Sequence, residues 1–240
     1  MPVRGDVPAF EDMSFTSRRD MALRLVDRVL SLIGGKQDIK LLDLGCGAGL
    51  LAIEAARARP DIRITALDVS PANVKATMAA ADAAGVGERV TAICTDYLTW
   101  PGEPFDVIAS DSVLHIIDGD DAALAARLAH DLRPGGVLVA VTAVQSPGNT
   151  LRVLLRRVWR ATPASADRLA LWAAQRLYPQ FPKEAIAERI PYLRVLPKRL
   201  WGPRLAAVFA RCGLRLIDEA PWESPSAAKL EHRLLIWRRE

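Results

Sequence analysis

Cysteine is scarce in this chain of 240 residues: Cys46, Cys94 and Cys212 form no Cys-x-x-Cys pair and no zinc spacing. They supply no disulfide framework, so a reduced, cytoplasmic setting is expected. Long apolar runs are missing too. No stretch of ~18 consecutive apolar residues occurs, which excludes a transmembrane helix. The first twenty residues carry Asp6, Glu11, Asp12 and Asp20 without an apolar segment, so they do not read as a secretory signal. No internal repeat is visible. What is present is the composition of a globular protein, 50% hydrophobic and 25% charged. A chain of this size buries roughly 70–75% of its unfolded surface, so one compact domain needs no disulfide or structural metal.

Charge is distributed unevenly. Residues 1–150 hold 14 Lys and Arg against 20 Asp and Glu, whereas 151–212 hold 13 against only Asp167, Glu184 and Glu188. The last 28 residues are balanced. An acidic body bearing a basic element attracts phosphates, carboxylates, anionic lipid or nucleic acid. The bland alternative is a solvated face, since 26 of the 32 basic residues are Arg.

The first 142 residues alternate short apolar runs with helical spacing, the pattern of a parallel sheet wrapped by helices. An opening helix over Met21–Leu32 ends at Gly34-Gly35. Strands are expected at Lys40–Leu44, Ile62–Leu67, Arg89–Cys94, Phe105–Ala109 and Val137–Thr142, the last entered through a Pro134-Gly135-Gly136 turn. Helices are expected at Leu50–Ala58, from Ser70-Pro71 to Ala84, and at Asp120–Leu132. The rhythm breaks over 147–202, where helical patterns and prolines replace strands. A helix at Pro203–Cys212 and strands at Leu214–Ala220 and His232–Arg238 then resume the sheet.

The sharpest motif runs from Leu41 to Gly49, Leu-Leu-Asp-Leu-Gly-Cys-Gly-Ala-Gly, at a strand end before a helix. Glycines let a ligand approach the backbone, and the helix start offers free N–H groups. A dinucleotide fingerprint would need glycine at position 50, where this chain has Leu50. Asp43 before the turn suits a ligand bearing an ammonium group better than a pyrophosphate. These two details argue against a nicotinamide cofactor. Asp68, ending the second strand, can accept hydrogen bonds from ribose hydroxyls. Asp96, after the third, can accept from an adenine amine while Tyr97 or the chain beside it covers the ring. Each acid alone has an ordinary reading as a cap or turn carboxylate. Three successive strand ends bearing acids at one sheet edge make a site.

On these residues, with Phe105–Ser110 and Leu132–Gly136, the chain resembles the class I S-adenosylmethionine-dependent methyltransferases over about residues 20–142. The resemblance implies a doubly wound α/β fold with a seven-stranded, mostly parallel sheet and one antiparallel strand at His232–Arg238. It implies S-adenosyl-L-methionine as cofactor, S-adenosyl-L-homocysteine as product, and no metal. Cofactor contacts are expected from Asp43, Gly45, Cys46, Gly47, Gly49, Asp68, Val69, Asp96, Tyr97, Ser110 and Asp111. The organisation expected is a single domain over 1–240: opening helix and cofactor cover in 1–38, cofactor-binding core in 39–144, an inserted helical cap in 145–203 between strands five and six, and a last helix and strands in 204–240.

The stretch after strand four reads Ser110-Asp111-Ser112-Val113-Leu114-His115 and lacks the Pro-Pro expected of enzymes that methylate DNA bases. DNA is therefore disfavoured, while RNA or protein stays open as the alternative acceptor. His115 is the candidate base, against a packing role. In the cap, Arg152, Arg156, Arg157 and Arg160 lie close to one face of a helix with Leu151, Leu154, Leu155 and Val158 opposite. Arg152, Arg156 and Tyr192, with Arg18 and Arg19 near the start, are the candidate substrate contacts. Arginines beside large apolar side chains suit a small or amphiphilic acceptor with an acidic head, or peripheral contact with an anionic membrane surface. The alternative is an apolar stripe packed on the sheet with wet arginines. O-methylation is expected ahead of C- or N-methylation, and oligomeric state is not indicated.

Overall fold

The computed structural model describes residues 19–180, 183–187, 190–222 and 230–240. Seven strands, β1 (Ile39–Leu44), β2 (Ile62–Asp68), β3 (Val90–Cys94), β4 (Phe105–Asp111), β5 (Leu132–Ala143), β6 (Leu214–Trp222) and β7 (His232–Arg239), form one sheet in the order β3-β2-β1-β4-β5-β7-β6. Strands β1 to β5 pair in parallel, and β7 lies antiparallel to both β5 and β6. The helices are α1 (Arg19–Ile33), α2 (Leu50–Ala58), α3 (Pro71–Ala83), α4 (Asp121–Asp131), α5 (Pro147–Arg160), α6 (Ala166–Leu177), α7 (Lys183–Ala187) and α8 (Pro203–Arg211).

Alternation along each strand divides the apolar residues between two faces. Leu41, Ile64, Val107, Val139 and Ile236 face one core with Leu25 and Val29 of α1, Ala52 of α2 and Ala81 of α3. Leu42, Leu67, Ile108, Leu138 and Leu235 face the other with Leu124 and Leu128 of α4 and Leu205 and Phe209 of α8. Each of the larger of these side chains, Val, Leu, Ile or Phe, contributes about 1.5–3 kcal/mol when taken from water. The helix starts follow local chemistry: the Ser70 hydroxyl accepts from the Asn73 N–H at 3.3 Å ahead of Pro71, and Asp120 accepts from Ala122 and Ala123 at 2.8 and 3.0 Å.

One strand begins earlier than its sequence pattern indicates. Leu132 already pairs with Phe105, the Pro134-Gly135-Gly136 turn then bulges out, and pairing resumes at Val137 with Val107. Gly136 sits so close to the chain that a Cβ would lie 2.8 Å from the Arg133 carbonyl oxygen. The turn is thus a bulge within β5 rather than a lead-in to it. Between β5 and β6 the chain forms α5, α6, α7 and a 3-10 turn at Ile190–Arg194. Its end returns to the sheet, where Trp201 N–H donates to the Ala143 carbonyl at 2.9 Å and Gln145 N–H to the Trp201 carbonyl at 2.7 Å.

Candidate functional site

The strand order places β1 beside β4 with their helices on opposite faces, which opens a crevice at the carboxyl edge. The turn Gly45–Gly49 lies there, anchored to β2 by the Gly45 and Cys46 N–H groups, which donate to the Leu67 carbonyl at 2.8 and 2.9 Å. Gly45 (φ 79°) and Gly49 (φ 77°) adopt left-handed backbone, and a Cβ on either would collide with Val113 at 2.2 Å or Thr77 at 2.5 Å. Two glycines therefore serve packing as well as turning. Val113 reaches Gly45 because Ser112 takes φ 63°, a conformation that costs a non-glycine residue and turns the chain sharply after β4. The Cys46 thiol is buried and its pKa is raised by burial and by the charges of Asp43 and Asp68, so it stays protonated.

Under the turn lies Asp43, 2% exposed. Ala52 N–H donates to its carboxylate, but Oδ2 has no hydrogen-bond partner among the described residues. Burial pushes its pKa up from 3.8 to about 7, opposed by the Ala52 N–H and reinforced by the charges of Asp68 and Asp111. A cationic amino group at Oδ2 would satisfy that oxygen and favour the ionised form, which is the chemistry that the ammonium of S-adenosylmethionine offers. The residues present fit that cofactor.

Asp68 is built into the loop itself. Oδ2 accepts from Gly47 N–H at 2.9 Å, and Oδ1 accepts from Ser70 N–H at 2.9 Å and the Asn73 amide at 3.1 Å. Burial raises its pKa despite these donors. Val69 follows it, and its carbonyl faces the Cys94 thiol at 3.6 Å. Thr95 N–H donates to the Asp68 carbonyl at 3.0 Å, which carries the chain onward beside β2 to Asp96. Asp96 Oδ1 accepts from Leu98 N–H at 2.9 Å.

Two expected contacts are corrected. The Tyr97 side chain turns away from the crevice into the α4-side core, 3% exposed, with the Arg127 guanidinium 5.5 Å from its ring. Alternation after β3 sends it there, so only the chain beside it borders the crevice. Ser110 is fully buried and its hydroxyl donates to the Leu44 carbonyl at 3.1 Å, tying β4 to β1 rather than facing a ligand. Asp111 is half-buried and accepts from the Ser112 hydroxyl at 2.9 Å.

His115 is 7% exposed, and its ring meets that of His232 edge to face at 5.2 Å. His232 was not singled out by the sequence, because it lies 117 positions away and only the antiparallel pairing of β7 with β5 brings it to Ala143. Its Nδ1 lies 2.6 Å from the Leu230 carbonyl, so that nitrogen carries the proton. His232 also lines a cavity of about 760 Å³ at this edge, with Gln145, Arg152, Trp201, Trp222 and Arg233 among its walls. Val113, His115 and His232 thus step from the glycine turn to the cavity. A second residue missed by sequence reading is Arg199, 7% exposed, which pairs with Asp121 at 2.8 Å and donates to the carbonyls of Leu114, Ile117 and Gly119. It holds the loop that carries His115.

The candidate substrate residues scatter. Arg18 lies outside the described residues. Arg19 pairs with Glu54 at 3.0 Å between α1 and α2 and is not among the residues that line the cavity. Arg152 pairs with Glu231 at 2.9 Å in the cavity wall, and Arg156 donates to the Val195 carbonyl at 3.2 Å. Tyr192 lies half-buried in the 3-10 turn. The expected alternative of an apolar stripe packed on the sheet with wet arginines does not hold for α5, because Leu151, Leu154, Leu155 and Val158 face solvent while Arg152 and Arg156 turn toward the protein.

A glycine turn over a buried acid at the β1–β4 divergence, a second acid ending β2, and an antiparallel β7 between β5 and β6 define the class I S-adenosylmethionine-dependent methyltransferase fold. The core of the chain, over the residues matched below, is a methyltransferase domain of this type, and S-adenosylmethionine is the cofactor of such domains. Residues 41–136 match the family described as "Methyltransferase domain". Among curated relatives, the chain is 33% identical over 148 residues to trans-aconitate 2-methyltransferase of Streptomyces avermitilis, covering 60% of this chain and 52% of that one. It is 29% identical over 133 residues to a ubiquinone biosynthesis O-methyltransferase of Cereibacter sphaeroides, covering 55% and 53%. The chain thus spans about half the length of these relatives. Magnesium protoporphyrin IX methyltransferase of Synechocystis PCC 6803, solved with S-adenosylhomocysteine bound, superposes with a TM-score of 0.61 at 16% identity over 92% of this chain and 83% of that one.

Proposed function

We propose that this chain is a methyltransferase that places a methyl group on an oxygen of a small or amphiphilic acceptor. The observation that carries the cofactor half is the buried Asp43 with one oxygen unpartnered beneath the glycine turn. Asp43 would hold the amino group, Asp68 the ribose hydroxyls and Asp96 the adenine amine, with Gly45, Cys46, Gly47, Gly49 and Val69 passing beneath and Asp111 at the β4 end. Bound there, the cofactor supplies an electrophilic methyl group on a sulfonium and leaves as S-adenosylhomocysteine.

The acceptor half rests on the histidine pair and the cavity. His232 lines the cavity and His115 meets it edge to face from behind; an acceptor hydroxyl reaching past His232 would give its proton to His115 as its oxygen bonds to the methyl carbon. In-line displacement needs chiefly alignment and exclusion of water, which the loop held by Arg199 and the helices between β5 and β6 would supply as a cover. Arg152 in the cavity wall would pair with an acidic acceptor head once released from Glu231. The ubiquinone biosynthesis relative is an O-methyltransferase, which supports oxygen as the acceptor atom.

The rival reading, an RNA- or protein-modifying enzyme docking through the basic 151–212 segment, is weakened by the pairing of that charge within the chain. Arg194 holds Asp167, Arg199 holds Asp121 and Lys198 reaches Asp118. The test is cofactor labelled on its methyl group, incubated with the purified protein and a cell extract that is then fractionated. Label in small organic-soluble or water-soluble material, absent with Asp68→Ala, is the expected result. Label in nucleic acid or protein would overturn the acceptor class.

A further inference from the structure

An amphipathic helix on a globular protein ordinarily turns its apolar side to the core. Helix α5 does the reverse. Leu151, Leu154, Leu155 and Val158 recur at helical spacing on one side and are 57%, 56%, 58% and 62% exposed. Behind them Arg156 is held to the Val195 carbonyl and Arg152 to Glu231. The inward side of α5 is therefore fastened by polar contacts, and its apolar side is left outward by design of the contacts rather than by a frayed end.

Helix α6, joined to α5 at the corner that Arg194 closes, exposes an apolar set of its own. Leu169, Trp172 and Leu177 are 62%, 53% and 73% exposed, and the Arg176 guanidinium lies 3.7 Å over the Trp172 ring. Seven large apolar side chains on two consecutive helices exceed what scattered surface hydrophobics require. Exposed Arg157, Arg168 and Arg176 border them. Between residues 145 and 180 the sequence has one acid, Asp167, and Arg194 occupies it at 2.8 Å.

We propose that the outward faces of α5 and α6 dock on an anionic lipid surface, with the leucines and Val158 entering the acyl boundary, Trp172 at head-group depth, and Arg157, Arg168 and Arg176 against lipid phosphates. Charge complementarity selects this occupant. A second copy meeting the same patch across a two-fold axis would set arginines against arginines with no acid between them. A nucleic acid would answer the arginines but leave the leucines in water.

The test is flotation of the full chain with vesicles of phosphatidylcholine alone and of phosphatidylcholine mixed with phosphatidylglycerol. Binding to the mixed vesicles, weakened by salt, is expected. The pair Leu154→Gln and Leu155→Gln, and separately Arg157→Gln with Arg168→Gln, should each lower partitioning by about tenfold or more. These side chains are exposed, so the variants should keep the wild-type circular dichroism and their affinity for S-adenosylhomocysteine. Flotation is scored without cofactor, so its failure and a failure of the methyltransferase reading are separate results. Equal binding to neutral vesicles, retention on RNA without vesicle binding, or a dimer that Leu154→Gln dissociates in the absence of vesicle binding would each overturn the proposal.

Discussion

Asp43 combines two demands that conflict in the protein without ligand. Its pKa near 7 in the folded chain lies above the 3.8 of an unburied aspartate, so the folded state holds a proton that the unfolded state releases. Stability from this group is full below about pH 4, falls by up to ~1.4 kcal/mol per pH unit up to about pH 7, and is then lost. Asp43→Asn has no such proton. It should melt at or above the wild-type temperature at about pH 8, with a flatter pH dependence across this window, while its affinity for S-adenosylhomocysteine falls about tenfold or more. Parallel melting curves for the two proteins would remove the burial account. Asp68 carries a different lesson: its sequence position suggested a ribose contact only, yet it accepts three hydrogen bonds from its own chain. Asp68→Ala should therefore lower the melting temperature as well as cofactor affinity, at about 0.5–1.5 kcal/mol per bond lost. The histidines are tested together. If His115 takes the proton and His232 orients it, His115→Gln should lower turnover by about a hundredfold or more and His232→Gln by less, each with calorimetric affinity for S-adenosylhomocysteine preserved and the acid limb of the pH profile altered. Unchanged turnover in both at every pH would leave the pair a packing contact.

Arginine acts at the scale of elements by collecting carbonyls that helix ends and loops leave over. Arg194 donates to the carbonyls of Trp159 in the last turn of α5 and of Thr162 and Pro163 after it, while its guanidinium meets Asp167 of α6, so one side chain closes the α5–α6 corner. Arg199 does the same for the loop after β4, with only 7% of its surface exposed. Arg199→Met leaves three carbonyls and Asp121 without their donor and should destabilise by ~3–5 kcal/mol. Arg199→Lys should restore little, because one ammonium cannot span that fan of acceptors. Hydrogen exchange should show faster opening of 114–119 in both variants; protection equal to wild type would mean that the backbone bonds from Lys198 and Arg199 to His115 hold the loop alone. The basic segment read from composition as a ligand surface is thus partly internal wiring. Nothing in residue order distinguishes an arginine that faces solvent from one that spans to a carbonyl dozens of positions away.

Across the whole molecule, the crevice couples elements that are remote in the chain. Gly45 touches Val113, Asp68 touches Gly47 and Asn73, and the loop of His115 is fastened by Arg199. A ligand that binds only this assembled state stabilises it by mass action, ~2.7 kcal/mol at a hundredfold excess over Kd. S-adenosylhomocysteine should therefore raise the melting temperature and slow exchange at 45–49, 68–70 and 112–119 together. Protection confined to the glycine turn would show that the loop after β4 is uncoupled from it.

The local chemistry of the chain determined much of this by itself. Strand and helix alternation, the Ser70-Pro71 and Asp120 starts, the glycine turn and the acids Asp43, Asp68 and Asp96 all rest on interactions between near neighbours, or on periodicity that marks a face. These are short-range and legible in order. Tertiary structure decided the rest: that Tyr97 is spent in a core, that Ser110 ties two strands, that His232 meets His115, and that α5 turns its leucines outward. Each depends on which elements the sheet order brings together, and the free energy of such contacts is set by partners that sequence separation does not reveal.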